Sequence, residues 1–258
     1  MQTKAQTNQI EKCHAFHKLH QKGNPTIFVN VWDAGSAKMV AGLGARALAT
    51  ASWAVADAHG FEDGENIPFE LVEANAKRIC DSVALPVSID FESGYGATPS
   101  EVGKLAARII SSGAVGCNIE DSNPKTGKLK SIDDAVARII AIREAANDMD
   151  MPFFINARTD VYFQSGGGFS KNKAIEETIK RADAFKRAGA NGIFIPRQSD
   201  IDILSVIINE IDLPLNILIA DNFEKIPEFA DIGIARISMG PNPYRAALSS
   251  INHYQSFV

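Results

Sequence analysis

Asp90 and Glu92 stand two positions apart at the close of an apolar run, Leu85-Pro86-Val87-Ser88-Ile89, and a small turn, Gly94-Tyr95-Gly96, follows at once. Carboxylates placed this way can present oxygens to a hard cation while the glycines leave space for a ligand. Polar residues recur at the ends of other apolar runs: Thr50-Ala51-Ser52, Glu120 with Asp121, Arg158 with Asp160, Arg197, and Asp221. The opposite ends of those runs carry mainly Gly, Ala, Leu and Pro. Acids gathered in one place repel one another and lose hydration, so something must neutralise them. Mg2+ does this with one or two direct carboxylates and retained waters that further acids hold. Asp90 is the expected direct ligand, and Glu92 the expected holder of a metal-bound water. Arg158 adds a fixed, bidentate donor for an organic anion that chelates the ion.

Such a gathering needs a fold that brings many strand ends to one rim. Eight short, β-branched runs are read as strands: Thr26–Trp32, Ala47–Ser52, Pro86–Asp90, Val115–Glu120, Pro152–Arg158, Gly192–Pro196, Leu213–Ile219 and Ile234–Ser238. Helical periodicity fills the gaps, near Ser36–Leu43, Phe69–Val83, Ser100–Ser112, Ile132–Asp148, Lys173–Ala188, Asp200–Glu210 and Phe223–Phe229. An extra helix over about Asn8–Gln21 precedes the first strand, and another over about Pro243–His253 follows the last. Thr98-Pro99-Ser100-Glu101 has the chemistry of a helix start, while Gly44, Gly113 and Gly189 sit where helices should stop. Eight alternating strand–helix units predict an α/β fold, a (β/α)8 TIM barrel forming a single domain over residues 1–258. In that fold the strand tips form the active-site rim.

The chain has 258 residues, 45% hydrophobic and 22% charged, with a net charge of −5. This is ordinary globular composition, and it argues against nucleic acid or an anionic membrane as partner. A small anionic organic acid remains compatible, because a pocket can be basic inside an acidic shell. No apolar run reaches the roughly 18 residues of a membrane helix. The opening residues lack the apolar segment of a secretory leader. Three scattered cysteines build no disulfide framework, so a cytoplasmic protein is expected.

The motifs "NVWDAGSAKMVAGLGARALATAS", "LPVSIDFESGYG", "GAVGCNIEDS", "NARTDVY" and "RISMGPNPYRAAL" resemble, in order and spacing, the isocitrate lyase/phosphoenolpyruvate mutase superfamily over about Asn30 to Leu248. The superfamily's metal signature, D-x-D-x-G-Y-G, is met by Asp90 to Gly96 with Glu92 in place of the second aspartate. The resemblance implies a Mg2+-dependent enzyme, with Mn2+ as a substitute, that passes through the enolate of a small α-oxo acid. It implies Asp90 on the metal, with Asp63, Glu92 and Glu120 holding its waters. Backbone N–H groups of Thr50, Ala51, Ser52 and Trp53 would hold the substrate carboxylate, and Arg158 would steady the enolate oxygen. It also implies a homo-oligomer, dimer or tetramer, in which the C-terminal helix can be exchanged between subunits.

The chain departs from its relatives in the loop after the fourth strand. The K-K-C-G-H lid of isocitrate and methylisocitrate lyases is replaced by "EDSNPKTGKLKS". The P-K-x-N lid of phosphoenolpyruvate mutases is met only by Pro124-Lys125-Thr126, with Gly127 where asparagine belongs. Lys125 or Lys128 is the expected anion contact if this loop closes over the site. The leading expectation is a lyase that cleaves a C–C bond beside the oxo or hydroxyl carbon of an oxaloacetate- or methylisocitrate-like acid. The alternatives are a P–C bond mutase or hydrolase of the phosphonopyruvate/phosphoenolpyruvate type, and a metal-binding relic without activity. Elsewhere, Cys117 reads as core, and the run Cys13, His14, His17 and His20 drifts around a helix too far to form a zinc site. Gly166–Gly168 read as a flexible turn, and Trp32 as a pocket wall or core residue.

Overall fold

Among the described residues, eight strands form at the places their β-branched runs predict: β1 (Thr26–Phe28), β2 (Leu48–Ala49), β3 (Val87–Asp90), β4 (Gly116–Glu120), β5 (Phe154–Arg158), β6 (Gly192–Ile195), β7 (Leu215–Leu218) and β8 (Arg236–Ser238). The computed structural model describes residues 3–164 and 169–257. The turn expected at Gly166–Gly168 lies outside the described residues. All ladders are parallel, in the order β1-β8-β7-β6-β5-β4-β3-β2. The seam between β1 and β2 is bridged at Val31 and Thr50. There the Val31 N–H donates to Ala49 O at 2.9 Å, and the Ala51 N–H donates to Val31 O at 3.2 Å. Asn30 reinforces the seam, with its Nδ2 donating to Thr50 O and its Oδ1 accepting from the N–H groups of Met239 and Gly240. The result is a nearly closed eight-stranded barrel flanked by helices.

Around it, among the described residues, lie α2 (Ala34–Gly42), α3 (Ser52–Ala58), α4 (Phe69–Ser82), α5 (Pro99–Ser111), α6 (Ile132–Asp148), α7 (Lys171–Arg187), α8 (Ile201–Glu210), α9 (Ile226–Asp231) and α10 (Asn242–Ser249). Helix α5 starts as its residues predict, with Thr98 as N-cap, Pro99 in the first turn and Glu101 completing a capping box. Gly44, Gly113 and Gly189 take left-handed φ of 91°, 100° and 99° after their helices, a conformation that costs other residues energy.

The extra N-terminal helix, α1 (Lys4–Lys18), lies against the barrel. Cys13 and Phe16 on it are fully buried. Phe16 meets the rings of Phe28 and Phe154 edge-on at 5.9 and 5.4 Å, and His20 stacks on Phe154 at 4.1 Å. His17 and His20 are thus packing residues, each hydrogen-bonded to a backbone carbonyl. Cys117 is buried within β4, and burial pushes its thiol well above the usual range.

β2 is shorter than its apolar run, because Ser52 already opens α3. That helix buries Ala54, Val55 and Ala56. Trp32 is half-buried and meets Tyr244 edge-on at 5.1 Å. At the C-terminus, α10 continues into a 3-10 segment, Ser250–Phe257. Leu248, Ile251 and Tyr254 are exposed there. Among the described residues no helix is long and apolar enough to cross a membrane.

Candidate active site

At the C-terminal rim of the strands a cavity of about 180 Å3 opens, walled by Thr50, Ala51, Ser52 and Trp53 on one side and by Asp63, Asp90, Asn118 and Arg158 below. Phe163, Phe194, Pro196 and Leu218 form an apolar wall, and Asn30, Ser238, Gly240 and Pro241 complete the lining. This is the place a parallel barrel reserves for chemistry. Asp90 closes β3 with its N–H on Thr50 Oγ1 at 2.8 Å. Its Oδ2 accepts the Ser52 N–H at 3.0 Å, while Oδ1 receives only a long 3.5 Å contact from Asn118 Nδ2. One carboxylate oxygen is therefore lightly engaged at the cavity.

Glu92 is placed differently. It takes a left-handed φ of 47° and is almost fully buried. Its Oε2 accepts the N–H groups of Gly64 and Glu65 at 3.0 and 2.7 Å, and its Oε1 accepts the Tyr95 hydroxyl. Glu65 answers, with Oε1 accepting the N–H groups of Ser93 and Tyr95. This reciprocal clamp ties the Asp63 loop to the end of β3. Glu92 thereby holds the Asp63 loop through Oε2 and Tyr95 through Oε1, a positioning role beside the expected water-holding one.

The glycines correct an expectation. A Cβ on Gly94 would meet Val102 Cγ1 at 2.7 Å, and one on Gly96 would meet the Val102 backbone N at 2.7 Å. They clear room for the first turn of α5, not for a ligand.

Arg158, at the end of β5, is fixed by two acids. Its Nη1 lies 2.9 Å from Glu120 Oε2, and its Nε and Nη2 donate to Asp160 at 2.7 and 3.1 Å. The guanidinium also sits 5.2 Å from the centre of the Phe163 ring. Burial would weaken its charge, but the carboxylates of Glu120 and Asp160 more than reverse this and keep it protonated. Glu120 takes the Ser122 hydroxyl on its other oxygen, and its carboxyl is driven upward by burial against the pull of Arg158. It lies behind Arg158 instead of on the cavity wall.

Asp121, read from the sequence as a rim acid, turns away from the cavity. It is 1% exposed, accepts the N–H of Asp160 and the Thr159 hydroxyl, and pairs with Arg181 of α7 at 2.9 Å.

Two further expectations shift. The N–H groups of Thr50, Ala51 and Ser52 already donate, to Ser88 O, Val31 O and Asp90 Oδ2. These residues line the cavity, but only Trp53 of the four has an N–H with no such partner among the described residues, because it sits in the first turn of α3. Lys125 is exposed at the tip of a small hairpin, away from the cavity wall, because Asn123 turns the chain there. Lys130, at the base of that hairpin, is the lysine that points inward, donating to Ser93 Oγ at 3.0 Å and to Ser122 O. Burial holds its ammonium below the usual range. By period-two alternation Lys128 and Lys130 share one face of the hairpin, so it is the place of Lys130 at the base, beside the Ser122–Leu129 bridge, that turns it inward. The same alternation places Asn118 beside Glu120 on the inward face of β4.

The donor set suits a divalent cation. Among the described residues no three His, Cys, Asp or Glu side chains form a ready-made metal cage. Mg2+ needs none, since it binds through one or two carboxylates and keeps its waters. Burial and then the proximity of Asp90 push the Asp63 carboxyl up. Burial, opposed by the Tyr95 hydrogen bond and reinforced by Asp63 and Asp90, pushes Glu92 up to about 8. The nearest guanidinium is already shared by two carboxylates. The excess negative charge is what a dication at Asp90 would neutralise.

The sequence profile of the Phosphoenolpyruvate phosphomutase family matches residues 16–258. The chain belongs to the isocitrate lyase/phosphoenolpyruvate mutase superfamily. Within the superfamily it is similar to a crystal structure from Burkholderia cenocepacia J2315, provisionally assigned as a phosphonomutase. The two are 43% identical, with a TM-score of 0.91, covering 95% of this chain and 99% of the other. A second structure from that organism, provisionally assigned as a lyase/mutase, is 30% identical with a TM-score of 0.86, covering 97% of this chain and 88% of the other. An uncharacterised protein of Mycobacterium tuberculosis is 32% identical over 245 residues, covering 93% of this chain and 86% of the relative.

Proposed function

We propose that this chain is a divalent-metal-assisted enzyme that breaks the bond to the carbon beside the carbonyl of a small α-oxo acid, leaving an enolate. The observation that carries the reading is the meeting of Asp90 and Arg158 on one small cavity with an apolar wall. Asp90 would hold Mg2+ or Mn2+ directly, with Asp63 facing its waters. The ion would supply charge neutralisation and polarise the carbonyl of a chelating substrate. Arg158, held in orientation by Glu120 and Asp160, directs its remaining N–H groups toward charge developing on the carbonyl oxygen. Phe163, Phe194 and Leu218 limit water at the reacting carbon.

Between the two bond classes, the names of the family and of the 43% identical structure favour P–C chemistry over the C–C cleavage first expected. We therefore place a phosphonopyruvate-type substrate first. Its phosphoryl group passes to water in a hydrolase, or to the enolate oxygen in a mutase. C–C cleavage of an oxaloacetate-like acid is kept as second reading, because Gly127 stands where the mutase lid carries asparagine. Purified protein should be offered phosphonopyruvate, oxaloacetate and methylisocitrate, with and without Mg2+. Metal-dependent phosphate or phosphoenolpyruvate from the first compound supports the P–C reading. Pyruvate from either of the others supports the C–C reading. Inertness toward all three would refute both. We further propose one domain over residues 1–258, and an oligomer in which the exposed segment around Leu248, Ile251 and Tyr254 is covered by a second subunit.

A further inference from the structure

The interior of a parallel barrel is normally filled by branched apolar side chains, yet β8 brings Arg236 to it. Arg236 is fully buried. Among the described residues no carboxylate lies within 4.0 Å of it, in contrast to Arg138, Arg158 and Arg181, each of which has one. Its Nε donates to Ser238 Oγ at 3.3 Å, and Ser238 Oγ donates in turn to Asn216 Oδ1 at 3.2 Å. Its terminal nitrogens, Nη1 and Nη2, have no hydrogen-bond partner among the described residues. The guanidinium lies 4.2 Å from the centre of the Phe28 ring, a contact that restrains the charge without cancelling it. A buried cation kept without a counter-charge is costly to the fold.

Its position gives the charge a use. Arg236 stands two residues before Ser238, so its Cα is about 7 Å below that of a residue lining the active cavity. Burial pulls the guanidinium down and the Asp90 carboxylate opposes this, so the two charges act on one another across the barrel. An arginine remains protonated all the same. The charge of Arg158 is shared by Glu120 and Asp160, whereas the field of Arg236 reaches the cavity with no carboxylate beside it. Salt screens a buried charge of this kind only weakly. Such a field acts in opposite directions on the two kinds of ligand the cavity suits: it repels a dication and attracts an organic anion.

We propose that Arg236 sets the charge balance of the active site: its unneutralised cation, one layer below the cavity floor, strengthens binding of the anionic substrate and its enolate and weakens binding of the free metal ion. This rests on the α-oxo acid reading given above. Arg236 touches neither ligand and acts through the field it lays on Asp90 and the cavity.

Two titrations on the full chain test this. Mn2+ binding is followed by electron paramagnetic resonance, and oxalate, a planar dianion shaped like the enolate, is titrated calorimetrically into the Mn2+-loaded protein. Arg236→Met removes the charge and keeps an apolar stem of similar length, a replacement that buried charges commonly tolerate. Arg236→Gln removes the charge and keeps a donor for Ser238. Both variants should bind Mn2+ at least about ten-fold more tightly and oxalate at least about ten-fold more weakly, as expected when a unit charge acts on divalent ones across roughly 10 Å of protein. The product of the two affinities should stay close to that of the wild type, because the metal–oxalate pair is neutral. A merely structural arginine would give a different pattern, with both ligands weakened together. That pattern, or unchanged affinities, or a glutamine variant that binds like the wild type, would overturn the proposal and leave the α-oxo acid reading standing. Failure of the wild type to bind Mn2+ and oxalate would overturn that reading and this proposal with it.

Discussion

Replacing Arg181 with methionine should damage the protein far more than its distance from the cavity suggests. Arg181 and Asp121 are 5% and 1% exposed and 2.9 Å apart. Arg181 also donates to Glu177 and to Lys130 O, and Asp121 holds the N–H of Asp160 and the Thr159 hydroxyl. Removing the guanidinium leaves the Asp121 carboxylate buried with only neutral donors. Breaking a buried pair from one side costs about 3–5 kcal/mol. At about 2–4 °C per kcal/mol for a chain of this size, the melting temperature should fall by about 6–20 °C. Urea titrations of the wild type, Arg181→Met, Asp121→Asn and the double variant form the cycle. The double variant should cost less than the sum of the singles, because the stranded charge is gone.

The pH dependence has a definite sign. Burial already raises Asp121, with Arg181 opposing. Without Arg181 the folded-state value rises further above the unfolded one, so the variant loses more stability as pH increases from 4 to 7. A loss below about 1 kcal/mol, or strict additivity, would refute this account of how the rim is held.

Other residues give separate tests. Gly96→Ala should destabilise by about 1–3 kcal/mol, the usual range for forced overpacking, because its Cβ meets the Val102 backbone; a denaturation midpoint equal to wild type would argue against the contact. Glu92→Ala should speed hydrogen exchange at the Gly64 and Glu65 amides about ten-fold, since each loses its carboxyl acceptor. Unchanged exchange would mean that the Asp63 loop is held by something else. Burial, with Arg236 nearby, lowers His20 to about 3, against about 6.5 when unfolded. Stability from the neutral ring is complete above pH 6.5 and is lost toward pH 3, at no more than about 1.4 kcal/mol per pH unit. His20→Phe should flatten that slope, as read from denaturation midpoints across the range.

The barrel was legible because each strand is a short β-branched run closed by a glycine or a polar tip, and Gly113 or Gly189 punctuates helix from strand. Helix α3 was not, since seven residues give too little periodicity to distinguish "SWAVADA" from a loop that continues the strand. At the site, Asp90, Arg158 and Thr50–Ser52 reach the cavity wall as strand ends meeting at one rim predict, while Asp63 and Trp53, expected only from the resemblance, reach it from the chain after β2. The misplaced details depend on partners distant in sequence. Asp121 reads as a rim acid until Arg181, 60 residues on, is seen to pair with it. Glu92 reads only as the holder of a metal-bound water, and its hold on the Gly64 and Glu65 amides is invisible in the sequence. Lys125 and Lys130 differ only by which end of a hairpin each holds, and the hairpin closes through backbone bonds of Asn123 and Lys130 that composition does not reveal.

The central claim is a single dication anchored at Asp90 in a cavity shared with Arg158. Titrating Mn2+ into wild type and Asp90→Ala, followed by electron paramagnetic resonance with oxalate present, measures this directly. The account predicts one bound Mn2+ per chain in the wild type and its loss in the variant. Equal occupancy and affinity in both proteins would contradict it.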